Sequence, residues 1–341
     1  MSTQLIDALS MPDFRGEKSM STRESEFQPF PLFIGRHTQT IMALFSFYRD
    51  PPSITRFVHL PDGEKISMEI TTPSFWKNTH ATVVMVHGLC GSHKSPYLVR
   101  LTKKLLRKGV RVIRVNLRGC GSGKGHAKRM YPAEASDDIW NALKEVKRDV
   151  PESPLVVMGF SLGGNIILKM GGERGEEALA LLDQIIAINP PLDMYSSVSL
   201  LSQNRLYERF FMHALKSDAE YRHELFEDMP PIEIPRGLSL LEFDELYIAP
   251  QAGFSSAKEY YQACSSGRLI PAIRVPSHLL FSRDDPIVDC KVLDHIPLPP
   301  NIDVLMTEHG GHLGYLGIPG KKGGFHWMDS LLFQWIFENR D

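Results

Sequence analysis

Short apolar, β-branched runs alternate with helical patterns along most of this chain, and this alternation limits the possible folds more than any other feature. The strand-like runs cover residues 81–88, 110–119, 154–160 and 181–191, and amphipathic helical patterns separate them at 95–109, 136–150 and 165–173. Strands that alternate with helices pair in parallel through right-handed crossovers. The sequence therefore predicts an α/β fold with a mostly parallel central sheet and helices on both faces.

The hydrophobic pattern changes after residue 192. From there to about residue 272 the chain shows long helical patterns with few strand signals, and strand patterns resume only at 277–288 and 302–308, before a final helical pattern at 328–340. An all-helical insertion between two strands of one sheet is typical of a lid. We therefore predict a helical lid at about 190–272.

The N-terminal part divides into a tail and a hairpin. Residues 1–28 are polar and lack periodicity, which predicts a flexible tail. Residues 56–70 alternate between apolar and polar positions around Asp62 and Gly63, as in a β-hairpin with these two residues in the turn. We expect residues 29–341 to form a single domain in which the N-terminal extension packs against the lid.

Composition narrows the choice of partners and compartment. Lys and Arg number 38 against 40 Asp and Glu, so the formal charge of -2 provides no basic surplus for nucleic acid. The four cysteines form no C-x-x-C pair, and no continuous apolar core of signal-peptide length lies near the N-terminus, which predicts a cytoplasmic protein. No stretch has the roughly 18 apolar residues of a spanning helix, whereas peripheral contact with a membrane stays open. The sequence does not indicate an oligomeric state.

The most specific motif is the pentapeptide at 159–163, Gly-Phe-Ser-Leu-Gly, between a predicted strand and a predicted helix. This context is what a nucleophile elbow requires, because the sharp turn exposes the serine at the carboxyl edge of the sheet and small glycines make room for it. Ser161 is therefore the candidate nucleophile. The alternative is a tight glycine turn whose serine has no catalytic role.

A serine nucleophile needs a base, and the base needs an acid that orients it. Acids follow one later strand at Asp284 and Asp285, and histidines follow the last strand at His309 and His312. We favour Asp285 over Asp284 because its position directly before a proline resembles the usual position of the acid in α/β hydrolases, and we expect Asp284 to cap the loop. His312 is favoured as the base because a Gly-Gly pair before it lets the loop fold over the sheet edge.

Backbone N–H groups are needed to stabilise the negative charge that develops on a tetrahedral intermediate. The residue after the nucleophile, Leu162, supplies one donor in this architecture, and the loop after an earlier strand supplies the other. That loop is His87-Gly88-Leu89-Cys90-Gly91, in which Leu89 is the candidate donor. We expect His87 to have a supporting role and Cys90 to take no part.

Signals for a cofactor or a metal are weak. The glycine-rich segment 118–123 lacks both the Gly-Lys-Ser/Thr of a P-loop and the spacing of a dinucleotide site. His309 and His312 are separated by glycines that oppose a helix, and no H-E-x-x-H motif is present. The sequence therefore predicts neither a cofactor nor a metal ion.

Together these motifs resemble the YheT-like branch of the α/β hydrolases, which is related to the membrane-associated ABHD-type lipid hydrolases of animals. The resemblance runs from about residue 33 to 335 and rests on seven segments: 37–40, 87–92, 116–123, 159–165, 243–265, 283–288 and 307–317. It implies an α/β-hydrolase fold with a helical lid and a catalytic triad at Ser161, Asp285 and His312. It also implies short-chain carboxylesters or acylglycerols as substrates.

The combined expectation is a serine hydrolase that cleaves carboxylic esters through an acyl-enzyme on Ser161, with a small-molecule or lipid ester as its partner. A thioesterase, an amidase or an acyltransferase would use the same triad. A non-enzymatic binding protein on this fold is the remaining alternative, and the intact triad argues against it. Six apolar residues of the insertion belong either to the lid core or to an acyl-chain site: Leu200, Leu201, Phe210, Phe211, Met212 and Tyr260.

Overall fold

The computed structural model of the protein describes residues 22–25, 27–45, 48–130, 135–321 and 323–337. These residues form one nine-stranded sheet. Its strands are β1 (Thr22–Glu24), β2 (Ile54–His59), β3 (Lys65–Thr71), β4 (Thr82–Val86), β5 (Arg111–Asn116), β6 (Leu155–Phe160), β7 (Gln184–Ile188), β8 (Ser277–Ser282) and β9 (Ile302–Thr307). Their order across the sheet is β1-β9-β8-β7-β6-β4-β5-β3-β2.

The sheet is mostly parallel, as the alternation of strands and helices predicts. β3 pairs antiparallel with both β2 and β5, and every other pairing is parallel. The hairpin of β2 and β3 turns at Asp62 and Gly63, where the Glu64 N–H donates to Asp62 Oδ1 at 3.1 Å and Gly63 has a φ of 86°. The predicted hairpin is therefore confirmed.

Helices cover both faces of the sheet. Outside the segment between β7 and β8 they are α1 (Arg36–Met42), α2 (Pro96–Leu106), α3 (Ser136–Asp149), α4 (Leu162–Arg174), α5 (Glu176–Leu179) and α11 (Trp327–Phe337). In β4, Val83 and Met85 pack into one core together with α2 and α11, and Val84 and Val86 pack into the other together with α3 and α4. A strand buried on both faces has no polar alternation, which explains the continuous apolar runs in the sequence.

The segment between β7 and β8 is helical. It contains α6 (Met194–Ser202), α7 (Arg205–Leu225), α8 (Leu240–Phe243), α9 (Ala249–Gln251) and α10 (Ala257–Cys264), with one π-helical turn at Asp244–Ile248. Side chains cap several of these helices, as at Asn204, whose Oδ1 accepts from the Leu206 and Tyr207 N–H groups. The apolar sides of the helices join the core on the α3 and α4 face of the sheet. We refer to residues 190–272 as the insertion.

The N-terminal prediction needs one correction. The proposed flexible tail of residues 1–28 includes β1, which pairs in parallel with β9 at the edge of the sheet, with Thr22 opposite Val304 and Glu24 opposite Met306. A side chain of β1 also reaches the neighbouring strand, since Arg23 Nε donates to Asp303 Oδ1 at 2.9 Å. Three polar residues carry too little hydrophobic pattern to be recognised as a strand. Residues 1–21 lie outside the described part of the chain.

A buried ion pair connects the C-terminal helix to α2. Arg100 donates through Nε and Nη2 to the two oxygens of Asp329, at 2.8 and 2.9 Å, and Lys104 Nζ donates to the same carboxylate at 2.7 Å. Burial alone would raise the pKa of Asp329, but Arg100 and Lys104 outweigh it and lower this pKa. The carboxylate is thus held ionised beneath the sheet.

Candidate active site

Ser161 occupies the sharp turn between β6 and α4. Its backbone has a φ of 51° and a ψ of -122°, a conformation that residues other than glycine rarely adopt. A Cβ atom at Gly159 would lie 2.4 Å from the Gly163 carbonyl oxygen, and one at Gly163 would lie 2.5 Å from the Val86 carbonyl oxygen. Both glycines are therefore required by close backbone contact, and the predicted elbow geometry is present.

The structure brings three of the predicted residues into one hydrogen-bonded chain. His312 Nε2 lies 2.9 Å from Ser161 Oγ, and His312 Nδ1 lies 2.8 Å from Asp285 Oδ2. His312 and Asp285 are buried, and Ser161 is partly exposed. Since an ionised Asp285 can only accept, the proton between them belongs to Nδ1, which leaves Nε2 free to accept the serine proton.

The Asp285 carboxylate is held by four hydrogen bonds. Its Oδ1 accepts from the N–H groups of Ile287 and Val288, at 2.8 and 3.0 Å. Its Oδ2 accepts from His312 Nδ1 and from Asn189 Nδ2, the latter at 2.7 Å. A buried carboxylate with this many donors is stabilised in one orientation.

The neighbouring acid is turned away from this chain. Asp284 Oδ1 accepts from Ser282 Oγ and from the Gly311 N–H, at 2.5 and 2.9 Å, and its Oδ2 lies 3.4 Å from His309 Nδ1. The His309 side chain is 45% exposed, in contrast to the buried His312. Asp284, in the loop after β8, therefore supports the loop after β9 that carries His309 and His312, and neither Asp284 nor His309 makes a hydrogen bond to Ser161.

Asn189 is a site residue that the sequence analysis did not identify. It follows β7 with a φ of 46°, and its Oδ1 accepts from Tyr315 Oη at 2.7 Å while its Nδ2 donates to Asp285. The available signal was its position at the end of a buried strand, before two prolines. Asn189, itself held by Tyr315, thus supports the Oδ2 atom of Asp285, whereas the Ile287 N–H donates to Oδ1.

We expect replacement of Asn189 by glycine to lower kcat about tenfold with little change in KM, because Asp285 loses one of the two donors on the oxygen that faces His312. Glycine tolerates the positive φ, so the backbone stays unstrained. Steady-state kinetics on a chromogenic ester measure the effect. Tyr315→Phe, which removes only the outer hydrogen bond, is the matched control with a smaller expected loss. An unchanged kcat in Asn189→Gly would contradict this positioning role.

The N-terminal helix α1 holds the histidine loop in place. Thr40 Oγ1 accepts from the His312 N–H at 2.8 Å, and the Gln39 side chain exchanges two hydrogen bonds with the backbone of Leu316. On its other side, α1 contacts the insertion through His37, whose Nδ1 lies 2.9 Å from Tyr207 Oη. The N-terminal segment therefore packs against both the His312 loop and α7.

The two predicted oxyanion donors lie beside the serine. A Cβ atom at Gly88 would come within 3.2 Å of Ser161 Cβ, so the loop after β4 runs directly against the nucleophile turn. The Gly88 N–H itself donates to Tyr97 Oη at 3.0 Å. In the described part of the chain, the N–H groups of Leu89 and Leu162 make no such hydrogen bond. Both residues line the same cavity as Ser161.

This cavity has a volume of about 800 Å³, counting the open solvent at its mouth. The insertion supplies most of its apolar wall, including Met194, Val198, Leu201, Phe211 and Leu215. Of the six apolar residues named from the sequence, Leu201, Phe211 and Tyr260 line the cavity. Phe210 does not line it, and its relative solvent exposure is 59%. An apolar cavity beside a serine suits a hydrocarbon chain.

Comparison with known families tests the fold. The model of the α/β hydrolase fold family matches residues 81–317, which is more than half of the chain and includes Ser161, Asp285 and His312. The chain belongs to the α/β-hydrolase family. The match begins just before β4 and ends just after the His312 loop, so this hydrolase carries its family core and its candidate active site in the same segment.

Two relatives indicate to which branch of the α/β-hydrolase family this chain belongs. The YheT protein of Escherichia coli is 26% identical over 321 residues, which cover 92% of this chain and 93% of YheT. The monoacylglycerol lipase of Saccharomyces cerevisiae is 27% identical over 288 residues, which cover 81% of this chain but only 61% of the lipase. The predicted membership of the YheT-like and ABHD-type branch is confirmed.

A solved structure with the same fold is Est1E from Butyrivibrio proteoclasticus with bound ferulic acid. It superimposes with a TM-score of 0.54 over 83% of this hydrolase and 98% of Est1E, at 13% sequence identity. At this identity the likeness establishes a shared fold alone.

Among the described residues of this hydrolase, no three His, Cys, Asp or Glu side chains lie close enough together to hold a metal ion. Within the same part of the chain, none of the helices has both the length and the apolar character needed to cross a bilayer.

His87 supports the loop that carries Leu89. Its Nδ1 donates to the Gly88 carbonyl at 2.7 Å, and its Nε2 accepts from the Leu117 N–H at 3.2 Å. Burial lowers its pKa from 6.5 to about 4, although the hydrogen bond to Gly88 acts in the opposite direction. The imidazole is therefore neutral in the folded hydrolase at pH 7. A protonated His87 could no longer accept the hydrogen bond from the Leu117 N–H at Nε2.

We expect the free energy of unfolding to fall as the pH drops from about 6.5 to 4, because the unfolded chain then binds a proton that folded His87 does not. The loss attributable to His87 amounts to about 3 kcal/mol over this window. Urea unfolding at several pH values measures it, with His87→Gln as the comparison. Burial also lowers the pKa of His326 to about 4, so part of the pH dependence of the unfolding free energy is expected to remain in the variant. Identical slopes in both proteins would contradict the assignment.

Proposed function

We propose that this hydrolase cleaves carboxylic esters, either short-chain carboxylesters or acylglycerols and other lipid esters, through an acyl-enzyme on Ser161. The observation that supports this most directly is the hydrogen-bonded chain from Ser161 through His312 to Asp285 beside an apolar cavity. A serine activated in this way attacks acyl carbonyl groups. The yeast relative named monoacylglycerol lipase supports the acylglycerol class.

In the first half of the reaction, His312 Nε2 takes the proton from Ser161 Oγ as this oxygen attacks the ester carbonyl. The N–H groups of Leu89 and Leu162 stabilise the resulting oxyanion. As the intermediate collapses, the bond to the alcohol oxygen breaks, and His312 returns the proton to the departing alcohol. Asp285 keeps the proton on Nδ1 and stabilises the imidazolium that forms transiently.

In the second half, a water molecule replaces the alcohol. His312 takes one proton from the water, whose oxygen attacks the acyl carbon, and then returns it to Ser161 Oγ as the acyl-oxygen bond to the serine breaks. The products are the carboxylic acid and the regenerated serine. We assign the acyl chain to the cavity wall formed by Leu201, Phe211 and Leu215, with the insertion acting as the lid.

Two measurements test this proposal together. A fluorophosphonate probe followed by peptide mass spectrometry is expected to modify Ser161 alone among the serines. A p-nitrophenyl ester series from acetate to palmitate is expected to show turnover with an optimum chain length that reports how much of the cavity the acyl group fills. Labelling of another serine would contradict the assignment of Ser161 as the nucleophile. A folded protein that neither reacts with the probe nor turns over any ester would support a binding protein instead.

A further inference from the structure

One acidic side chain lies in the wall of the mostly apolar cavity. Among the described residues that line it, Asp244 is the only acid and no base is present. Asp244 opens the π-helical turn between α8 and α9, a geometry that is frequent at functional sites. The proposed catalytic mechanism has no use for a carboxyl group at this position.

The Asp244 carboxyl group is only half satisfied by the protein. Its Oδ2 accepts from Tyr261 Oη at 2.6 Å, and its Oδ1 makes no hydrogen bond to any residue in the described part of the chain. This Oδ1 atom is not sealed from solvent, so it remains accessible to water or to a ligand. Polar groups in apolar surroundings destabilise a fold unless they find a partner, and a bound ligand is one such partner.

A purely structural role is a weak explanation of this acid. The turn that carries Asp244 is already tied to α10 by a second hydrogen bond, from the Ala257 N–H to Glu245 Oε2 at 2.6 Å. Burial raises the pKa of Asp244 to about 7, although the bond from Tyr261 acts against this. At neutral pH the group therefore exists in both protonation states. A hydroxyl group can hydrogen-bond to either state, because it donates as well as accepts, whereas a cation would be attracted by the ionised state alone.

We propose that Asp244, held by Tyr261, is a specificity-determining residue that binds a hydroxyl group of the substrate inside the cavity. The proposal rests on the proposed ester hydrolysis and deepens it. Such a hydroxyl group belongs either to the alcohol part of the ester, as in a monoacylglycerol, or to a hydroxylated acyl chain. In both cases Asp244 selects a hydroxylated ester over one that presents only hydrocarbon to the cavity.

Three matched esters separate these sources: propyl octanoate, 1-octanoylglycerol, which adds two hydroxyl groups to the same alcohol skeleton, and propyl 8-hydroxyoctanoate, which adds one to the acyl chain. Wild type is expected to use one of the hydroxylated esters about tenfold better in kcat/KM than propyl octanoate. The ester that gains identifies which part of the substrate reaches Asp244. Equal kcat/KM for all three esters in the wild type would overturn the proposal.

Three variants test the residue itself. Asp244→Leu keeps a similar volume but has no hydrogen-bonding group, so it is expected to bring kcat/KM for the hydroxylated ester down to its value for propyl octanoate. Asp244→Asn, which keeps the shape and the acceptor for Tyr261, is expected to weaken the preference. Tyr261→Phe leaves the carboxyl group in place but removes the hydrogen bond that holds it, and is expected to weaken the preference less than Asp244→Leu does. A structural role instead predicts that Asp244→Leu and Tyr261→Phe lower kcat/KM equally on all three esters, and this result would overturn the proposal.

A binding measurement separates this proposal from the proposed catalysis. In a Ser161→Ala background, titration calorimetry with 1-O-octylglycerol, which has no ester bond, and with methyl 8-hydroxyoctanoate requires no turnover. At least one of the two ligands is expected to bind about tenfold more weakly once Asp244→Leu is added, because leucine has no group that could hydrogen-bond to a hydroxyl. Unchanged affinity for both ligands would overturn the role of Asp244 even if ester hydrolysis is established. A tenfold loss of affinity without hydrolysis of any ester would support Asp244 and contradict the catalytic proposal.

Discussion

Replacing Ser161 with alanine is expected to lower kcat for ester hydrolysis by about 10⁵- to 10⁶-fold. The variant loses the hydroxyl oxygen that lies 2.9 Å from His312 Nε2, so no acyl-enzyme can form on residue 161 and the histidine loses the proton that it takes in the first step. Only the oxyanion donors and the binding cavity would remain to accelerate attack by water. The rate is measured with a p-nitrophenyl ester at its optimum chain length.

Ser197→Ala is the matched control for this loss, because Ser197 lines the same cavity but is not among the hydrogen-bond partners of His312 in the described part of the chain, which are Thr40, Asp285 and Ser161. Its kcat is expected to stay within about threefold of wild type, as for an ordinary cavity-wall substitution. Circular dichroism verifies that both variants are folded. Retention of more than about one per cent of wild-type activity by Ser161→Ala would remove the serine from the mechanism.

Asp285→Asn is expected to lower kcat by about 10⁴-fold, whereas Asp284→Asn changes it less than about threefold. An asparagine at 285 cannot accept from His312 Nδ1, from Asn189 and from the two backbone donors all at once. If its amide nitrogen faces His312, the imidazole places its proton on Nε2 and can no longer accept the proton of Ser161. An asparagine at 284, by contrast, can still accept from the Gly311 N–H.

The comparison of these two isosteric substitutions at adjacent positions controls for general damage to the loop. The pH dependence of kcat/KM provides a second readout. A change in how His312 carries its proton alters the shape of the pH profile, whereas a folding defect lowers kcat/KM without changing that shape. The reverse order of activities, with Asp284→Asn the more damaged variant, would exchange the roles of the two acids. Equal activities of the two variants would show that neither acid orients His312.

The three residues of the candidate triad could be predicted from the sequence because each of them lies shortly after a strand. Ser161 lies 151 positions before His312 in the chain, and Asp285 lies 27 positions before it. Each of the three nevertheless follows a strand of the same sheet, and the carboxyl ends of parallel strands meet at one edge. A short-range motif and a general topological rule were enough to find them. The same reasoning separated Asp285 from Asp284 only through its position before a proline, and the hydrogen bonds to Asn189, Ile287 and Val288 supply the physical basis.

Residues that act through long-range contact escaped this reasoning. Thr40 binds the His312 N–H across 272 positions of sequence, and Tyr315 reaches Asp285 only through Asn189. Asp244 stood within a segment that carried the family resemblance, but its role in the cavity wall depends on how α8 and α10 pack. A polar side chain in a helical segment looks the same in sequence whether it faces solvent or a cavity.

By itself the sequence determined the α/β class, the order of strands and helices, the elbow at Ser161 and the helical nature of the insertion. These features depend on the periodicity of apolar residues and on turn chemistry, which are local and therefore written along the chain. Only the tertiary structure decided that β1 joins the sheet edge, that α1 holds the histidine loop, and that Asp244 lines the cavity. Those outcomes depend on which distant surfaces pack together, and packing is decided by shape and burial over the whole molecule rather than by any local pattern.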